Sequence, residues 1–81
     1  MKTYNGHRSW NAWNVALWIG NDEPLYRLAM YWLTKTNRNP KGNRAAVNRF
    51  LNDIGGPTTK TPDGATYNRL SVKLALEGLI E

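Results

Sequence analysis

Asn21-Asp22-Glu23-Pro24-Leu25-Tyr26-Arg27-Leu28-Ala29-Met30-Tyr31-Trp32-Leu33 carries both the start signals of a helix and the periodicity that continues one. A capping side chain, acids in the first turn and an early proline suit a helix N-terminus, where backbone N–H groups lack intrahelical partners. Leu25, Leu28, Ala29, Trp32 and Leu33 then fall at i, i+3, i+4, i+7 and i+8, the apolar stripe of an amphipathic helix. Asn37-Arg38-Asn39-Pro40-Lys41-Gly42 ends that helix in a basic loop.

Working outward, the same chemistry recurs. Asn5-Gly6 is a turn signal, and Ser9 is a good N-cap for a helix from about Trp10 to Gly20. Asn43 suits the start of a third helix running to about Ile54, with Gly55 as its stop and Ala46, Val47, Phe50, Leu51 and Ile54 as its buried stripe. From Gly55 to Gly64 the chain is rich in Gly, Pro and Thr, and Pro62-Asp63-Gly64 reads as a turn. A final helix is expected from about Ser71 to Ile80, with Val72, Ala75, Leu76, Leu79 and Ile80 inward. Ala65-Thr66-Tyr67 also fits a short strand paired with Thr3-Tyr4, and both readings stay open. The expected fold is all-α, a compact bundle of about four short helices with at most a minor β pairing, in a single domain over residues 1–81.

A chain of 81 residues buries only roughly 60% of its unfolded surface, so a few large side chains must anchor it. Trp10, Trp13, Leu17, Leu25, Leu28, Trp32, Phe50 and Leu76 are the expected core. On a wheel of the first helix, Trp10, Trp13, Ala16, Leu17 and Gly20 group on one side and Ala12, Val15 and Ile19 on the other. Asn11 and Asn14 form a polar stripe between them, with Trp18 upon it. A helix apolar on both flanks is expected to lie sandwiched between other elements. Trp18 is then the tryptophan hardest to place inside: it is either partly buried under the N-terminal segment or free for stacking or interface contact.

Several chemistries lack their residues. There is no cysteine, which excludes disulfides and thiolate metal sites and fits a reducing compartment. The lone histidine, His7, has no second ligand and no thiol to activate. Asp22 and Glu23 are accounted for by helix-start chemistry, and Asn39-Pro40-Lys41-Gly42-Asn43 lacks the Gly-Lys-Ser/Thr end of a phosphate loop. No enzyme, metal or cofactor is expected. The start of the chain has no apolar signal core and no apolar run approaches the roughly 20 residues of a membrane span, so a cytoplasmic protein is expected.

The net charge of +5 is concentrated in the middle of the chain. Arg27, Lys35, Arg38, Lys41, Arg44 and Arg49 lie between Pro24 and Asn52 with no acid among them, whereas the rest of the chain carries five bases against six acids. Such a field attracts nucleic acid, phosphorylated ligands or acidic protein faces. On the third helix Arg44, Asn48 and Asn52 share a face at i, i+4 and i+8, with Arg49 to one side. A helix-turn-helix is disfavoured, since the connection from Thr36 to Arg44 exceeds the usual 3–4-residue turn. Ten asparagines with no glutamine also stand out. Asn11, Asn14, Asn48 and Asn52 lie on helix faces where asparagine is a poor helix former, which points to buried hydrogen bonds or a ligand face.

Over Tyr4-Asn5-Gly6-His7-Arg8-Ser9-Trp10-Asn11-Ala12-Trp13-Asn14-Val15-Ala16-Leu17-Trp18-Ile19, then Asn21-Asp22-Glu23 and Leu25-Tyr26, the sequence resembles a family of small proteins of tailed phages and prophages. The similarity returns at Thr61-Pro62-Asp63-Gly64-Ala65-Thr66-Tyr67 and along Ser71 to Leu79, and leaves Thr34 to Lys60 uncovered. The resemblance implies a phage accessory gene of the kind that encodes small, non-enzymatic counter-defence proteins. The leading expectation is therefore an anti-CRISPR-type inhibitor of a host defence protein or nucleoprotein complex. A direct DNA- or RNA-binding protein is the second reading, and a protein sequestering a nucleotide signal, with pockets between subunits, the third. In each, Arg38, Lys41, Arg44 and Arg49 are the expected contacts to phosphate or an acidic partner, and Trp18 and Tyr31 the expected aromatic contacts.

Overall fold

The computed structural model describes residues 9–36, 43–56 and 58–79. Four helices follow one another: α1 Trp10–Asn21, α2 Glu23–Lys35, α3 Asn43–Asp53 and α4 Arg69–Leu79. The fold is all-α. The Asn5-Gly6 turn, Thr3-Tyr4, His7, the loop residues Arg38 and Lys41, and Ile80 lie outside the described residues.

Local chemistry sets the ends of these helices. The Ser9 hydroxyl accepts from the Ala12 N–H at 3.1 Å and caps α1. Asp22 serves two helices at once: its N–H donates to the Trp18 carbonyl at 2.9 Å, closing α1, and its carboxylate accepts from the Leu25 N–H at 3.2 Å, opening α2. Asp22 is thus the cap of α2, and the corner between α1 and α2 is a single residue. Helix α3 closes in a Schellman motif, with the Gly56 N–H on the Leu51 carbonyl at 2.7 Å and the Gly55 N–H on that of Asn52 at 3.4 Å. Gly55 has φ +107°, a conformation for which an L side chain is poorly suited. Helix α4 begins two residues before the expected Ser71. Asn68 and Ser71 cap it reciprocally: the Asn68 side chain accepts from the Ser71 N–H at 2.8 Å, and the Ser71 hydroxyl accepts from the Asn68 N–H at 3.2 Å.

The helices are arranged as a ring. α1 packs on α2 and α4, α3 packs on the same two, and α2 and α4 meet only slightly across the centre, so α1 and α3 occupy opposite corners. Val15, Ile19, Ala29, Leu33, Ala46, Val47, Phe50, Leu51, Val72, Ala75 and Leu76 form the core, joined by Ala65 and Tyr67 from the segment before α4. The radius of gyration, 11.6 Å, matches the roughly 11.7 Å expected of one compact domain of this length.

Three expected core residues, Trp10, Trp13 and Leu17, lie outside the core. Phe50 and Leu76 are fully buried, and Leu25, Leu28 and Trp32 pack against the core from its margin. Trp13 is half-buried, whereas Trp10 and Leu17 are exposed at 39% and 37%. Helix α1 is not sandwiched on both flanks. It turns Ala12, Asn14, Val15 and Ile19 inward, and the stripe of Trp10, Trp13, Leu17 and Gly20 faces outward.

The segment between α3 and α4 explains that orientation. Thr61-Pro62-Asp63-Gly64 makes a turn closed by the Gly64 N–H on the Thr61 carbonyl at 2.9 Å, and the Thr61 N–H reaches the Ala65 carbonyl at 2.7 Å. Beyond it Thr66 pairs with Lys60 in an isolated antiparallel bridge that joins the two arms of this turn, while the expected partner Thr3-Tyr4 lies outside the described residues.

Replacing Gly55 by alanine forces a side chain into the left-handed region and brings Cβ to 3.0 Å from the Thr59 hydroxyl oxygen. Urea denaturation of Gly55→Ala should show a loss of about 1–2 kcal/mol. An unchanged midpoint would contradict the Schellman assignment.

Candidate functional site

Two polar constellations lie on opposite corners of the ring, and their chemistry separates a structural role from a surface role. The first is the polar stripe of α1. Asn11 pairs with the backbone of Thr66 in both directions, donating to its carbonyl at 2.9 Å and accepting from its N–H at 2.7 Å. Asn14, 1% exposed, accepts from the Thr61 hydroxyl at 2.6 Å and donates to the Asp63 carboxylate at 2.9 Å. The Trp18 indole N–H donates to the same carboxylate oxygen at 3.0 Å. Asn11, Asn14 and Trp18 thereby clamp the turn at Thr61 to Thr66 along the length of α1.

This clamp accounts for two asparagines whose role the sequence left open. It also places Trp18 against the Asp63 turn, with its one polar atom engaged. Donation from Asn14 first and Trp18 second holds the Asp63 carboxyl below the ordinary aspartate range, with desolvation opposing weakly. Burial, and secondarily the charge of Asp22, raises the Tyr67 hydroxyl above the usual phenol value.

The second constellation is the outer face of α3. Arg44, Asn48, Asn52 and Arg49 are all exposed there, because the opposite face of the helix is spent on Ala46, Val47, Phe50 and Leu51. On one side α2 supplies an aromatic edge. Trp32 donates its indole N–H to Asp53 at 2.7 Å and takes the Arg49 guanidinium over its ring at 5.7 Å. Tyr31 meets Trp32 edge-on at 4.9 Å and takes the Lys35 ammonium over its ring at 5.5 Å. On the other side α4 supplies Arg69, whose guanidinium donates to the Asn48 side-chain carbonyl. Asn48, Leu51, Asn52, Gly56 and Arg69 line a shallow cleft of about 210 Å³.

Of the sequence-derived contacts, Arg44, Arg49 and Tyr31 are thus gathered around α3, with Tyr31 half exposed at 51%. Trp18 stands apart on α1. Arg38 and Lys41 lie outside the described residues. Lys35 and Arg69 belong to the face without having been singled out by the sequence. Lys35 was detectable, four residues after Tyr31 on one helix. Arg69 was not, since its neighbour Asn48 is 21 residues away.

The acids are distributed differently. Asp22 caps α2, Asp53 accepts from Trp32, Asp63 is held by Asn14 and Trp18, and Glu23 pairs with Arg27 on the surface of α2. Lys35, Arg44, Arg49 and Arg69 lie on or beside this face, where the Asp53 carboxylate accepts a hydrogen bond from the Trp32 indole N–H. Among the described residues no group of three or more His, Cys, Asp or Glu side chains is placed to hold a metal ion. Nor is any described helix long and apolar enough to cross a membrane. The cleft falls below the roughly 300 Å³ at which small-molecule sites begin, and it is open to solvent.

Fold and site together define a small all-α domain, a ring of four helices clamped onto a turn, with a basic and aromatic face at one corner. The chain belongs to a family of unknown function, DUF7249, whose family model matches residues 1–81. That match runs through Thr34 to Lys60, the stretch that the phage-protein resemblance leaves uncovered. No curated protein and no solved structure matches the chain.

The lowered pKa of Asp63 makes the clamp pH-dependent. The unfolded carboxyl takes up its proton at a higher pH than the folded one, so the stabilisation is complete at neutral pH. It is lost as pH falls through the ordinary aspartate value toward the folded one. Thermal unfolding between about pH 6 and pH 2 should therefore show a shallower acid limb in Asp63→Asn than in the wild type. Parallel limbs would show that the carboxylate is not held.

Proposed function

We propose that the protein is a non-enzymatic binding protein whose α3 face engages the phosphate-rich surface of a host nucleoprotein complex. In the phage setting implied by the sequence resemblance, that makes it a cytoplasmic counter-defence inhibitor of the anti-CRISPR type. One observation carries the reading: Arg44 and Arg49 are exposed on α3, which is flanked by Arg69 of α4 on one side and, through Trp32 and Tyr31, by Lys35 of α2 on the other, while Asp22, Asp53, Asp63 and Glu23 are engaged in caps, indole bonds or an ion pair. Cations so placed neutralise phosphates and release counterions, and aromatic edges beside them favour contact with bases or an apolar protein margin.

The nucleotide-sequestering alternative places its pockets between subunits, and the small open cleft beside Arg69 of one copy does not by itself enclose a nucleotide. Direct nucleic-acid binding shares the same face and differs only in whether a protein component is required.

Expression of the protein in a host carrying a nucleoprotein-type defence system should abolish immunity, and Arg44→Ala/Arg49→Ala should restore it while remaining folded. Binding to the isolated complex should weaken with salt, and the log–log slope should fall by about 0.9 for each phosphate contact removed. Intact immunity with the wild-type protein, or a flat salt dependence, would overturn the reading.

A further inference from the structure

The cleft between α3 and α4 has a chemistry of its own beside the cations of the α3 face. Its floor is the buried Leu51, and its rim is Asn48 and Asn52 of α3, Gly56 of the Schellman turn and Arg69 of α4. Asn48 and Asn52 are four residues apart, so both amides stand on the same face of the helix. Asparagine is a poor helix former. Fold contacts account for it at Asn11 and Asn14, which hold the clamped turn, and at Asn68, which caps α4. The Asn52 side chain instead stands exposed at the rim of the cleft.

The polar groups of the rim have a definite pattern. The Arg69 guanidinium donates to the Asn48 side-chain oxygen, which orients that amide and leaves its nitrogen as a donor. Arg69 keeps further N–H donors, and the Asn52 amide offers both a donor and an acceptor. The rim is therefore rich in donors, with an acceptor among them, over an apolar floor. Uracil and thymine present the complementary edge, two carbonyls flanking one N–H. Size agrees: a cavity of roughly 150 Å³ admits a benzene ring. The cleft, at about 210 Å³, has room for one pyrimidine ring with its sugar and phosphate left outside.

We propose that this cleft takes one unpaired pyrimidine base, uracil or thymine, from a single-stranded nucleic acid whose phosphates lie along α3. This selection rests on the reading of α3 as a phosphate-binding face, and it adds which form of nucleic acid that face prefers. In a duplex the same edge is occupied by base pairing, so only a strand with unpaired bases can offer it. The openness of the cleft suits a tethered ligand. Arg44, four residues before Asn48 and exposed on the same face, holds the strand, and the base then enters at high effective concentration. A free nucleoside has no such help.

Fluorescence anisotropy of the full chain tests the proposal, with labelled oligo(dT), oligo(U), oligo(dA) and the dT–dA duplex, each of about ten nucleotides per strand. Oligo(dT) or oligo(U) should bind about tenfold tighter, or more, than oligo(dA) and the duplex, and the tighter of the two names DNA or RNA as the source. Arg69→Lys keeps the charge but loses the planar fork, and Asn52→Ala puts a better helix former at an exposed position, so both should stay folded. Each should erase most of the preference and leave the salt slope of the wild type unchanged. Arg44→Ala/Arg49→Ala should instead weaken every ligand and flatten the slope. Equal, salt-dependent binding of all four ligands would overturn the selectivity of the cleft and leave the phosphate-binding face standing. A preference that survives both cleft substitutions would overturn it too. So would failure to bind any of the four, and the immunity assay would then decide the phosphate-binding face separately.

Discussion

The Thr61 hydroxyl donates to the Asn14 side chain at 2.6 Å across 47 residues of sequence, in a site buried from water. A buried polar group left without its partner costs about 1–3 kcal/mol. Against a total stability of roughly 4–12 kcal/mol for a domain of this length, that is a large fraction. Turning α1 over would strand Asn14, Thr61 and the Thr66 backbone together. The clamp therefore decides which flank of an ambiguous helix enters the core, and through α1 it positions α2 at the one-residue Asp22 corner and α4 at the far end of the clamped turn.

The rest of the surface follows from that choice. The Asn11 and Asn14 amides and the Trp18 indole N–H are hydrogen-bonded to the turn, and the apolar stripe of α1 is left outward. At the opposite corner α3 keeps its arginines and asparagines in solvent. Asp22 and Asp63 are placed away from that corner, where they satisfy a backbone N–H and the Asn14 and Trp18 donors. Asp53 shows the economy of the arrangement: it fixes Trp32, and the fixed ring then supports Arg49.

Helix positions were legible in the sequence because their signals are local. The Ser9 cap, the acids and proline of 22–24, the Gly55 stop and the Pro62-Asp63-Gly64 turn each act within a few residues, and the structure contains all four elements they delimit. Asn68 with Ser71 was equally local, yet the expected start at about Ser71 fell two residues after that of α4. The facing of α1 was not legible. Both its flanks are apolar, and the partners that break the tie lie 45 to 55 residues downstream. Trp10 and Leu17 were assigned inward for that reason. The candidate site divides in the same way: the face formed by Arg44, Asn48 and Asn52 is a property of one helix, whereas Arg69 and the Trp32–Arg49 contact depend on packing between helices.

The most direct test of this account is a double-mutant cycle between two buried groups of the clamp, using Asn14→Leu, Thr61→Val and the double variant, each unfolded in urea at neutral pH. Shape-matched apolar replacements remove the hydrogen bond while limiting cavity formation. The account predicts single losses that each leave a partner unsatisfied, a double variant less destabilised than their sum, and a coupling within about 0.5–3 kcal/mol. Additive losses would show that Asn14 and Thr61 act independently, and would contradict the claim that their contact sets the orientation of α1.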